Sequence, residues 1–593
     1  MTFSLEKEMR TAEEESDTAL ESVFRALRER RNFKLEAGAG AGKTYSLIAA
    51  LQRILADRKY YLPRSDQQIA CLTYTKVARD QIINRTDANP YIFADTLHGF
   101  LWEMVKPYQK ALKQTILSSE DWQNKLEGRT ALDDLIIEYD LGIRIIDDTA
   151  IRIHHDDVPR LANKLFRKPK FRTLIADHFP IIFIDEYQDT PQGLVEAMLS
   201  GLEPDSQASV FGFFGDHWQQ IYDNTCGSIE HSTVIPIPKN ANFRSDRNIV
   251  SFLNKLRPEL VQAPADNALT GTVTIYHTNE WPSGDRLTHH WKGQIPHIAS
   301  HRTLEWITND AQHRVWGEAS KDTKTLMLTH ASLAHELGYE SLPAIYKYND
   351  SFAKKEDPVI AFLLDIVEPS SEAFRERRYG ELFDVLGSAQ PHIRSHNDKV
   401  YWTSHFEKLD DLRNSDTVGA VLSHLRSQTL FSIPQRVLKT HRDLEQALGV
   451  LNETMNLSEP RHLSEYQKLL NVKYAEIMSL SAYVNDKTPF STKHNVKGAE
   501  FDNVIVVLGR GYSKYDFAKM LDNYPSRDRL IESEYKKFER SRNLFYVAAS
   551  RAKRNLVLLF TQELSDATLE MFSEWVGADN VVSVNFSSDG QPV

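Results

Sequence analysis

One short stretch near the N-terminus constrains the fold of this chain more than any other. A brief apolar segment ends in Leu35, and a run of small residues follows from Ala37 to Gly42. Lys43 and Thr44 then open an amphipathic helix. Small residues let consecutive backbone N–H groups converge on phosphate oxygens, the lysine adds a cation, and the threonine hydroxyl can ligate Mg²⁺. The stretch therefore predicts a phosphate-binding loop between a strand and a helix, rather than a flexible turn before a surface helix.

A second stretch supplies the acids that such a site needs. The apolar run from Ile181 to Ile184 is followed by Asp185 and Glu186. Beside a phosphate loop, the first acid holds Mg²⁺ and the second orients or deprotonates the attacking water. Because an Asp-Glu pair also ends many strands without a catalytic role, it is the combination with the loop that indicates a nucleoside triphosphatase.

Strand and helix patterns alternate around both stretches. Apolar strand segments at 33–35, 68–75 and 93–96 are separated by helical segments, and a buried strand returns at 180–184. This alternation predicts a parallel sheet flanked by helices, which is an α/β fold. Residues 1–31 are predicted to form a helix.

A second region of the same kind follows further along the chain. Its predicted strands lie at 324–330, 504–508 and 556–560. Two stretches lack the alternation, 101–175 and 351–484, and we expect both to be largely helical insertions. The end of the chain, SSDGQPV, is polar and rich in small residues, and we expect it to be disordered.

Composition limits the function further. The chain has 593 residues, two cysteines (Cys71 and Cys226) and a net charge of −11. The cysteine count argues against a disulfide framework or a cysteine zinc site. The negative charge argues against coating nucleic acid, but it leaves room for a local basic groove, for example at 160–172 or 536–554. The polar, acidic N-terminus and the lack of an apolar run of about 18–20 residues predict a cytoplasmic protein without a membrane contact.

Five short motifs occur in a fixed order along the chain. They read Gly-Lys-Thr, Asp-Glu-x-Gln-Asp, Gly-Asp-x-x-Gln-x-Ile-Tyr, Lys-Gly-x-Glu-Phe and Tyr-Val-x-x-x-Arg-Ala. As a set they resemble the UvrD/Rep-like superfamily 1 DNA helicases. The resemblance covers most of the chain as a series of motifs, while the two helical stretches match in position more than in sequence.

The resemblance implies two RecA-like parallel-sheet motor domains, each with a largely helical insertion. The first motor domain would comprise residues 1–100 and 176–240, with 101–175 as its insertion. The second would comprise 241–350 and 485–593, with 351–484 as its insertion.

The resemblance also implies roles at a site for ATP and Mg²⁺. Thr44 and Asp185 match the metal-binding residues. Glu186 matches the catalytic base, Gln219 the γ-phosphate sensor, and Arg244 and Arg551 the two arginine fingers. The nucleotide-binding positions are Ala37, Gly38, Ala39, Gly40, Ala41, Gly42, Lys43, Thr44, Tyr45, Phe243 and Glu500.

Positions that face DNA in this family can be placed too. They are Tyr74, Thr75, Thr96, His98, Tyr222 and His494. Aromatic side chains stack on bases without regard to sequence, which suits a protein that moves along single-stranded DNA. The implied partners are single-stranded DNA and junctions of single-stranded with duplex DNA.

The sequence departs from the family pattern at several positions. Ala37 replaces a glycine of the loop, Tyr45 the usual arginine, Phe243 the usual tyrosine, and Asn224 a tryptophan, for which Trp218 is a candidate substitute. The glutamine that reads adenine upstream of the loop is missing, since no glutamine precedes Gln52. Strict preference for ATP over other nucleotides is therefore left open.

A group of histidines could bind a metal, although no cysteine accompanies it. It consists of His289, His290, His297 and His301. A zinc site is one interpretation. The other is an added loop or small helical element, and the sequence does not decide between them.

Three functions are compatible with these patterns. The leading one is an ATP-dependent DNA helicase that moves 3′→5′ in DNA repair, recombination or phage defence. The alternative is a helicase-like, DNA-binding regulatory subunit of a nuclease complex, with ATPase activity but little unwinding. An RNA-directed motor is the third, and the sequence shows no pattern that would read a 2′-hydroxyl.

Overall fold

The computed structural model describes most of the chain. The residues outside the described part are 1–9, 127, 140–143, 148, 201–207, 221–224, 312–322, 328–329, 347–351, 354, 388–392, 429, 452–460, 486–487, 489, 492–498 and 511–514.

The strands are β1 (Asn32–Ala37), β2 (Ile69–Thr73), β3 (Ile92–Thr96), β4 (Ile136–Tyr139), β5 (Ile145–Ile146), β6 (Ala150–Ile153), β7 (Ile181–Asp185), β8 (Val210–Gly215), β9 (Val234–Lys239), β10 (Ala241–Asn242), β11 (Ala263–Pro264), β12 (Thr272–His277), β13 (Thr323–Met327), β14 (Phe490–Ser491), β15 (Phe501–Leu508), β16 (Ala552–Phe560) and β17 (Val581–Ser583).

The helices are α1 (Ala12–Arg28), α2 (Lys43–Ala56), α3 (Arg58–Tyr61), α4 (Lys76–Arg85), α5 (Leu97–Val105), α6 (Gln109–Leu117), α7 (Gln123–Leu126), α8 (Asp157–Phe166), α9 (Pro169–His178), α10 (Leu194–Leu199), α11 (Arg247–Leu256), α12 (His297–Ala311), α13 (His330–Leu337), α14 (Ser341–Ile345), α15 (Pro358–Phe362), α16 (Glu368–Arg375), α17 (Tyr379–Leu386), α18 (His396–Ser415), α19 (Val418–Arg426), α20 (Gln435–Leu451), α21 (Arg461–Leu470), α22 (Tyr474–Val484), α23 (Phe517–Asp522), α24 (Glu532–Ala549) and α25 (Asp566–Val576).

Six parallel strands form the first sheet, in the order β3-β2-β7-β8-β1-β9. Its centre is aromatic, because the rings of Phe33, Phe183 and Phe214 pack edge to face with one another. Gly212 on β8 leaves room for these rings: a Cβ there would lie 2.6 Å from Phe33 Cζ. The parallel sheet predicted from the alternating pattern is confirmed.

Among the described strands, β9 forms one edge of this sheet and pairs only with β1. From Pro236 onwards its side chains alternate, with Pro236 and Pro238 exposed and Ile237 and Lys239 buried. The two prolines therefore lie on the outward positions of an edge strand.

The second sheet also has six parallel strands, in the order β14-β13-β15-β16-β12-β17. Strands β15 and β16 lie at its centre, where Val504 to Val506 and Leu558 are fully buried. The two sheets confirm the predicted α/β class with two RecA-like regions. The boundaries given above for the four domains stay a prediction.

The stretch 101–175 contains a small sheet that the sequence patterns did not reveal. In it β6 pairs in parallel with β4 and antiparallel with β5. The strands have only two to four residues, too few for a period-two pattern to be distinguished from chance. Helices α5, α6, α8 and α9 still contribute more residues to this stretch than the three strands do. The described part of 351–484 contains helices α15 to α22.

Both ends of the chain differ in part from expectation. Helix α1 begins at a capping box in which Thr11 and Glu14 bond reciprocally to each other's backbone. The expectation of a disordered C-terminus is wrong for SSDGQPV. Phe586 and Pro592 form an antiparallel bridge, and the Trp281 ring packs against Phe586. None of the described helices combines the length and apolar character needed to cross a bilayer.

Candidate functional site

Three neighbouring strands of the first sheet, β7, β8 and β1, end at the same edge. Asp185 at the end of β7 is in register with Phe214 on β8, and Gly215 on β8 is in register with Glu36 on β1. The loops that follow these strands therefore lie side by side, at the edge where parallel sheets place their ligands. They carry the phosphate loop, the acid pair and Gln219, which the sequence had placed far apart.

The phosphate loop turns sharply at two of its glycines. Gly40 and Gly42 have φ angles of 72° and 74°, in the left-handed region that favours glycine. Gly42 directly precedes α2, and Lys43 is the first residue of that helix. Ala39 and Ala41 are buried. The free N–H groups of the first turn of α2 thus face the loop, and such a helix start attracts phosphate.

The acid pair lies within reach of the loop lysine. Asp185 is buried, and Glu186 has a φ of 49°, which is unusual for a residue other than glycine. Lys43 Nζ lies 3.7 Å from Glu186 Oε1. Such strain is tolerated where the surrounding contacts enforce it, as often occurs at functional sites.

Gln188 holds this acid in place, a role that sequence reasoning missed although the residue belongs to a quoted motif. Its amide Nε2 donates to Glu186 Oε2 at 2.5 Å, and its Oε1 accepts from the backbone N–H of Asp216 at 3.0 Å. Gln188 is fully buried. It connects the loop after β7 with the loop after β8.

Gln219 lies at the same edge, but its amide is already bonded. Its Nε2 donates to Asp216 Oδ2 at 2.8 Å, and Asp216 also accepts from Arg257 at 2.7 Å. Gln219 is 4% exposed. Hydrogen bonds through Asp216 and Gln188 connect Gln219 with Glu186 of the acid pair.

Both predicted arginine fingers come from outside the first sheet. Arg244 Nε donates to Glu500 at 2.9 Å, and its Nη1 donates to the carbonyl oxygen of Ser550 at 2.9 Å. Burial raises the pKa of Glu500, but the positive charges of Arg244 and Lys553 outweigh burial. The pKa of Glu500 is therefore lower than usual. Arg244 is thus held beside the phosphate loop, where its Cβ approaches Gly40 closely.

Arg551 is buried beside these groups, with a donor to spare. Its Nε and Nη1 donate to the carbonyl oxygens of Val547 and Ala499. Nη2 has no hydrogen-bond partner within the described residues. Burial, together with the charge of Arg244, lowers the pKa of Arg551 to about 9, although Glu186 opposes the shift. A buried cation with an unused donor between an arginine and the acid pair is suited to bind an anion.

Two side chains from the second sheet's side contact the phosphate loop directly. The backbone N–H of Ala39 donates to the hydroxyl of Tyr546 at 3.1 Å, and Gln262 Nε2 donates to the carbonyl oxygen of Ala39 at 3.1 Å. A Cβ at Gly38 would lie only 2.7 Å from Gln262 Nε2. Tyr546 lies in a quoted motif, whereas nothing in the sequence marks Gln262.

Trp218 belongs to the same interface and does not present a face to a base. It is 2% exposed. The guanidinium carbon of Arg542 lies 3.7 Å from the centre of its ring, and that of Arg257 lies 4.9 Å away. The suggestion that Trp218 substitutes for the missing stacking tryptophan is therefore wrong.

Two exposed rings flank the start of α2. Tyr45 is 61% and Phe243 is 44% exposed. A Cβ built at Gly42 would lie 3.7 Å from Tyr45 Cβ and 3.9 Å from Phe243 Cδ2. That these two rings bind the nucleotide base stays a prediction.

The predicted DNA-facing residues lie beyond β2 and β3. Tyr74 is 45% exposed, while the hydroxyls of Thr75 and Thr96 cap α4 and α5. His98 stacks on His155 with ring centres 3.5 Å apart, and burial together with that ring lowers the pKa of His98 to about 4. Tyr222, Asn224 and His494 lie outside the described residues.

Metal-binding geometry occurs once in the described part of the chain, away from the histidine group. Its members are Glu36, Asp216 and His217. Arg257 already pairs with both carboxylates, so these residues form an ionic network. His301 pairs with Glu336 and Glu305, and the interpretation of 289–301 as a zinc site stays a prediction.

Comparisons with known proteins agree with this arrangement. An AAA domain family matches residues 20–225, the UvrD-like helicase C-terminal domain matches 346–563, and the viral superfamily 1 RNA helicase core domain matches 130–336. The chain is 23% identical to Gabija protein GajB of Bacillus cereus strain HuB5-5 over 733 residues, covering 96% of this chain and 99% of that protein. It is 26% identical over 244 residues to Gabija protein GajB of strain VD045, covering 38% and 47%.

Proposed function

Because the chain is a UvrD-like superfamily 1 helicase, we propose that it hydrolyses ATP and couples hydrolysis to movement on DNA in the cytoplasm. The movement would run 3′→5′ along single-stranded DNA and open the duplex at a junction. This direction rests on the family resemblance.

One observation supports the chemistry most directly. Lys43 Nζ lies 3.7 Å from Glu186, and the charge of Glu186 acts on the buried Arg551, whose Nη2 has no hydrogen-bond partner within the described residues. The three residues come from the start of α2, the loop after β7 and the segment before β16. Phosphoryl transfer is accelerated mainly by positioning and by charges placed where negative charge develops. Three such groups from both sheets fit a triphosphate in the cleft.

Roles for the individual residues follow from this placement. Lys43 and the N–H groups of α2 bind the phosphates, while Thr44 and Asp185 would hold Mg²⁺, whose charge neutralises the phosphate oxygens. Glu186, oriented by Gln188, positions the attacking water and accepts its proton.

Closure of the cleft would link hydrolysis to motion. Arg244 and Arg551 reach the phosphates from the second sheet's side, and Gln219 lies next to the acids. Hydrolysis then requires the two motor domains to be together, so that each cycle moves one against the other. Ala37 to Gly42 form the loop that surrounds the phosphates. Tyr45, Phe243 and Glu500 surround the base and ribose.

The proposed DNA path runs over the ends of β2 and β3. Tyr74 offers an exposed ring for base stacking, and Thr75, Thr96 and His98 lie beside it. Tyr222 and His494 are proposed to join this path from their motif positions.

Hydrolysis of each of the four NTPs, with and without single-stranded DNA, tests the proposal. We expect hydrolysis to rise with DNA and to be lost in Lys43→Ala, while Lys59→Ala, an exposed lysine on α3, behaves as wild type. Displacement of a strand from a duplex with a 3′ tail tests the coupling. Unwinding that survives in Lys43→Ala would refute the proposal.

The likeness to Gabija GajB over nearly the whole chain favours a second candidate. In it the chain is the helicase-like subunit of a phage-defence complex that includes a nuclease, and it hydrolyses ATP with little unwinding. Robust DNA-stimulated hydrolysis without strand displacement, together with co-purification of a nuclease, would support this candidate over the first.

A further inference from the structure

Lys239, the last residue of β9, carries a buried ammonium that is incompletely paired. The residue has no solvent exposure, and its Nζ donates to Ser46 Oγ at 2.8 Å. An ammonium has three N–H donors, and the described residues supply no second acceptor. Buried charges are normally paired, and beyond this bond the described residues offer the ammonium only the faces of two aromatic rings.

The surroundings of this ammonium point to the base of a nucleotide. Nζ lies 5.7 Å from the ring centre of Tyr45 and 5.8 Å from that of Phe243, so both exposed rings face one nitrogen. A Cβ built at Gly42 would lie 3.7 Å from Nζ, which places the ammonium next to the phosphate loop. Burial lowers the pKa of Lys239 to about 8, although the negative charge of Asp17 on α1 acts in the opposite direction.

Donor chemistry limits what this group can recognise. A glutamine side chain both donates and accepts, whereas lysine only donates. Its partner on a base must therefore be an acceptor, a ring nitrogen or a carbonyl oxygen. The chain has no glutamine before Gln52, so the N-terminal segment offers no glutamine for this purpose.

The position of Lys239 selects among the acceptors of a base. In an anti nucleotide, the edge of a purine that carries N7 lies on the side of the 5′-phosphates, whereas N1 and N3 point away from them. Lys239 lies on the phosphate side, beside Gly42. Pyrimidines present carbon-bound hydrogen on that side.

We propose that Lys239 reads N7 of a purine base held between Tyr45 and Phe243. The inference rests on the proposed binding of a nucleoside triphosphate at the phosphate loop, and it adds how the base is chosen. Lys239 is then the residue that sets specificity for the base.

The test compares ATP with 7-deaza-ATP, which lacks N7, in wild type and in Lys239→Met. In wild type we expect KM for 7-deaza-ATP to exceed KM for ATP by about tenfold, the size expected when a charged donor loses its partner. In Lys239→Met, KM for ATP should rise by about the same factor and the two nucleotides should become equal. Inhibition by inorganic tripolyphosphate, which has no base, should not change.

Lys34→Met is the matched control, because Lys34 lies on the neighbouring strand β1 of the same sheet. It should retain the preference for ATP over 7-deaza-ATP. Equal KM values for the two nucleotides in wild type would overturn the proposal without any variant, even where Lys239→Met failed to fold. A weakened inhibition by tripolyphosphate in Lys239→Met, equal to the loss for ATP, would overturn it as well.

Failure of the proposed function would be recognised separately. A wild type that hydrolyses no NTP would refute the ATPase, and calorimetric binding of ATP and 7-deaza-ATP would then decide the role of Lys239. Hydrolysis with no effect of N7 would refute the reading of the base and leave the ATPase intact.

Discussion

The hydroxyl of Tyr546 is a sensitive point for perturbing closure of the cleft. It accepts a hydrogen bond from the buried N–H of Ala39, between two segments 507 residues apart. Tyr546→Phe removes this bond and leaves the N–H without a partner, at a cost of about 1–3 kcal/mol. If this free energy favours the closed arrangement, its loss shifts the equilibrium between closed and open by about 5- to 150-fold.

Tyr524 provides a matched control. Its hydroxyl is also buried and donates to the carbonyl oxygens of Lys255 and Leu256, but all of these groups lie on the second sheet's side. Tyr524→Phe should therefore lower thermal stability to a similar degree without affecting the cleft. We expect kcat/KM for ATP, measured with saturating single-stranded DNA, to fall about 5- to 150-fold in Tyr546→Phe and less than about twofold in Tyr524→Phe.

Two results would refute this reasoning. In one, the two variants lose the same fraction of kcat/KM, so the location of the hydroxyl is irrelevant. In the other, Tyr546→Phe unfolds at a lower temperature with unchanged kinetics, so the bond stabilises the fold and does not affect closure.

Three further predictions follow from the site. Glu186→Gln keeps the size of the side chain but removes the base, so ATP hydrolysis should fall at least about 10²-fold while ATP binding, measured by calorimetry, persists. Tyr74→Ala should weaken binding of a fluorescent single-stranded oligonucleotide by about 1–3 kcal/mol per base that stacked on the ring, without changing hydrolysis in the absence of DNA. Burial raises the pKa of Glu36, but hydrogen bonds from His217 and Tyr187 and the charge of Arg257 outweigh it and lower the pKa to about 2. Its contribution to stability, about 3 kcal/mol, is therefore complete above pH 4.5 and is lost as the pH falls towards 2, so the difference in melting temperature between wild type and Glu36→Gln should narrow from pH 5 to pH 3.

Each of these predictions can fail clearly. Hydrolysis by Glu186→Gln at the wild-type rate would exclude it as the base. Tyr379→Ala removes an equally exposed ring from α17, and the same loss of DNA affinity in both tyrosine variants would exclude a specific role for Tyr74. A difference in melting temperature that stays constant with pH would exclude the ionised Glu36 as its source.

The sequence was informative wherever a local pattern determines the outcome. The phosphate loop and the acid pair each end a buried strand, and parallel strands bring their ends to one edge. The α/β class and the position of Lys43 beside Glu186 could therefore be predicted. The short strands β4 to β6 and the anchored C-terminus could not, because the first are too short to show a pattern and the second depends on Trp281, far away in the chain.

Contacts across the cleft were beyond prediction for a different reason. Gln262 and Arg257 lie in ordinary helical or loop sequence, and their roles arise only when α11 and the loop after it meet the phosphate loop and Asp216. In the sequence, Lys239 is an ordinary charged residue at the end of an edge strand, and no pattern indicates that it is buried. Its burial is set by α1 and α2, which pack over it.

The prolines of β9 have a consequence for how copies of this protein behave in a crowded solution. The free edge of a sheet is a template on which another chain can add a strand, the first step of aggregation. Proline lacks an N–H, and Pro236 and Pro238 remove two donors from this edge. Strand addition along β9 is therefore disfavoured.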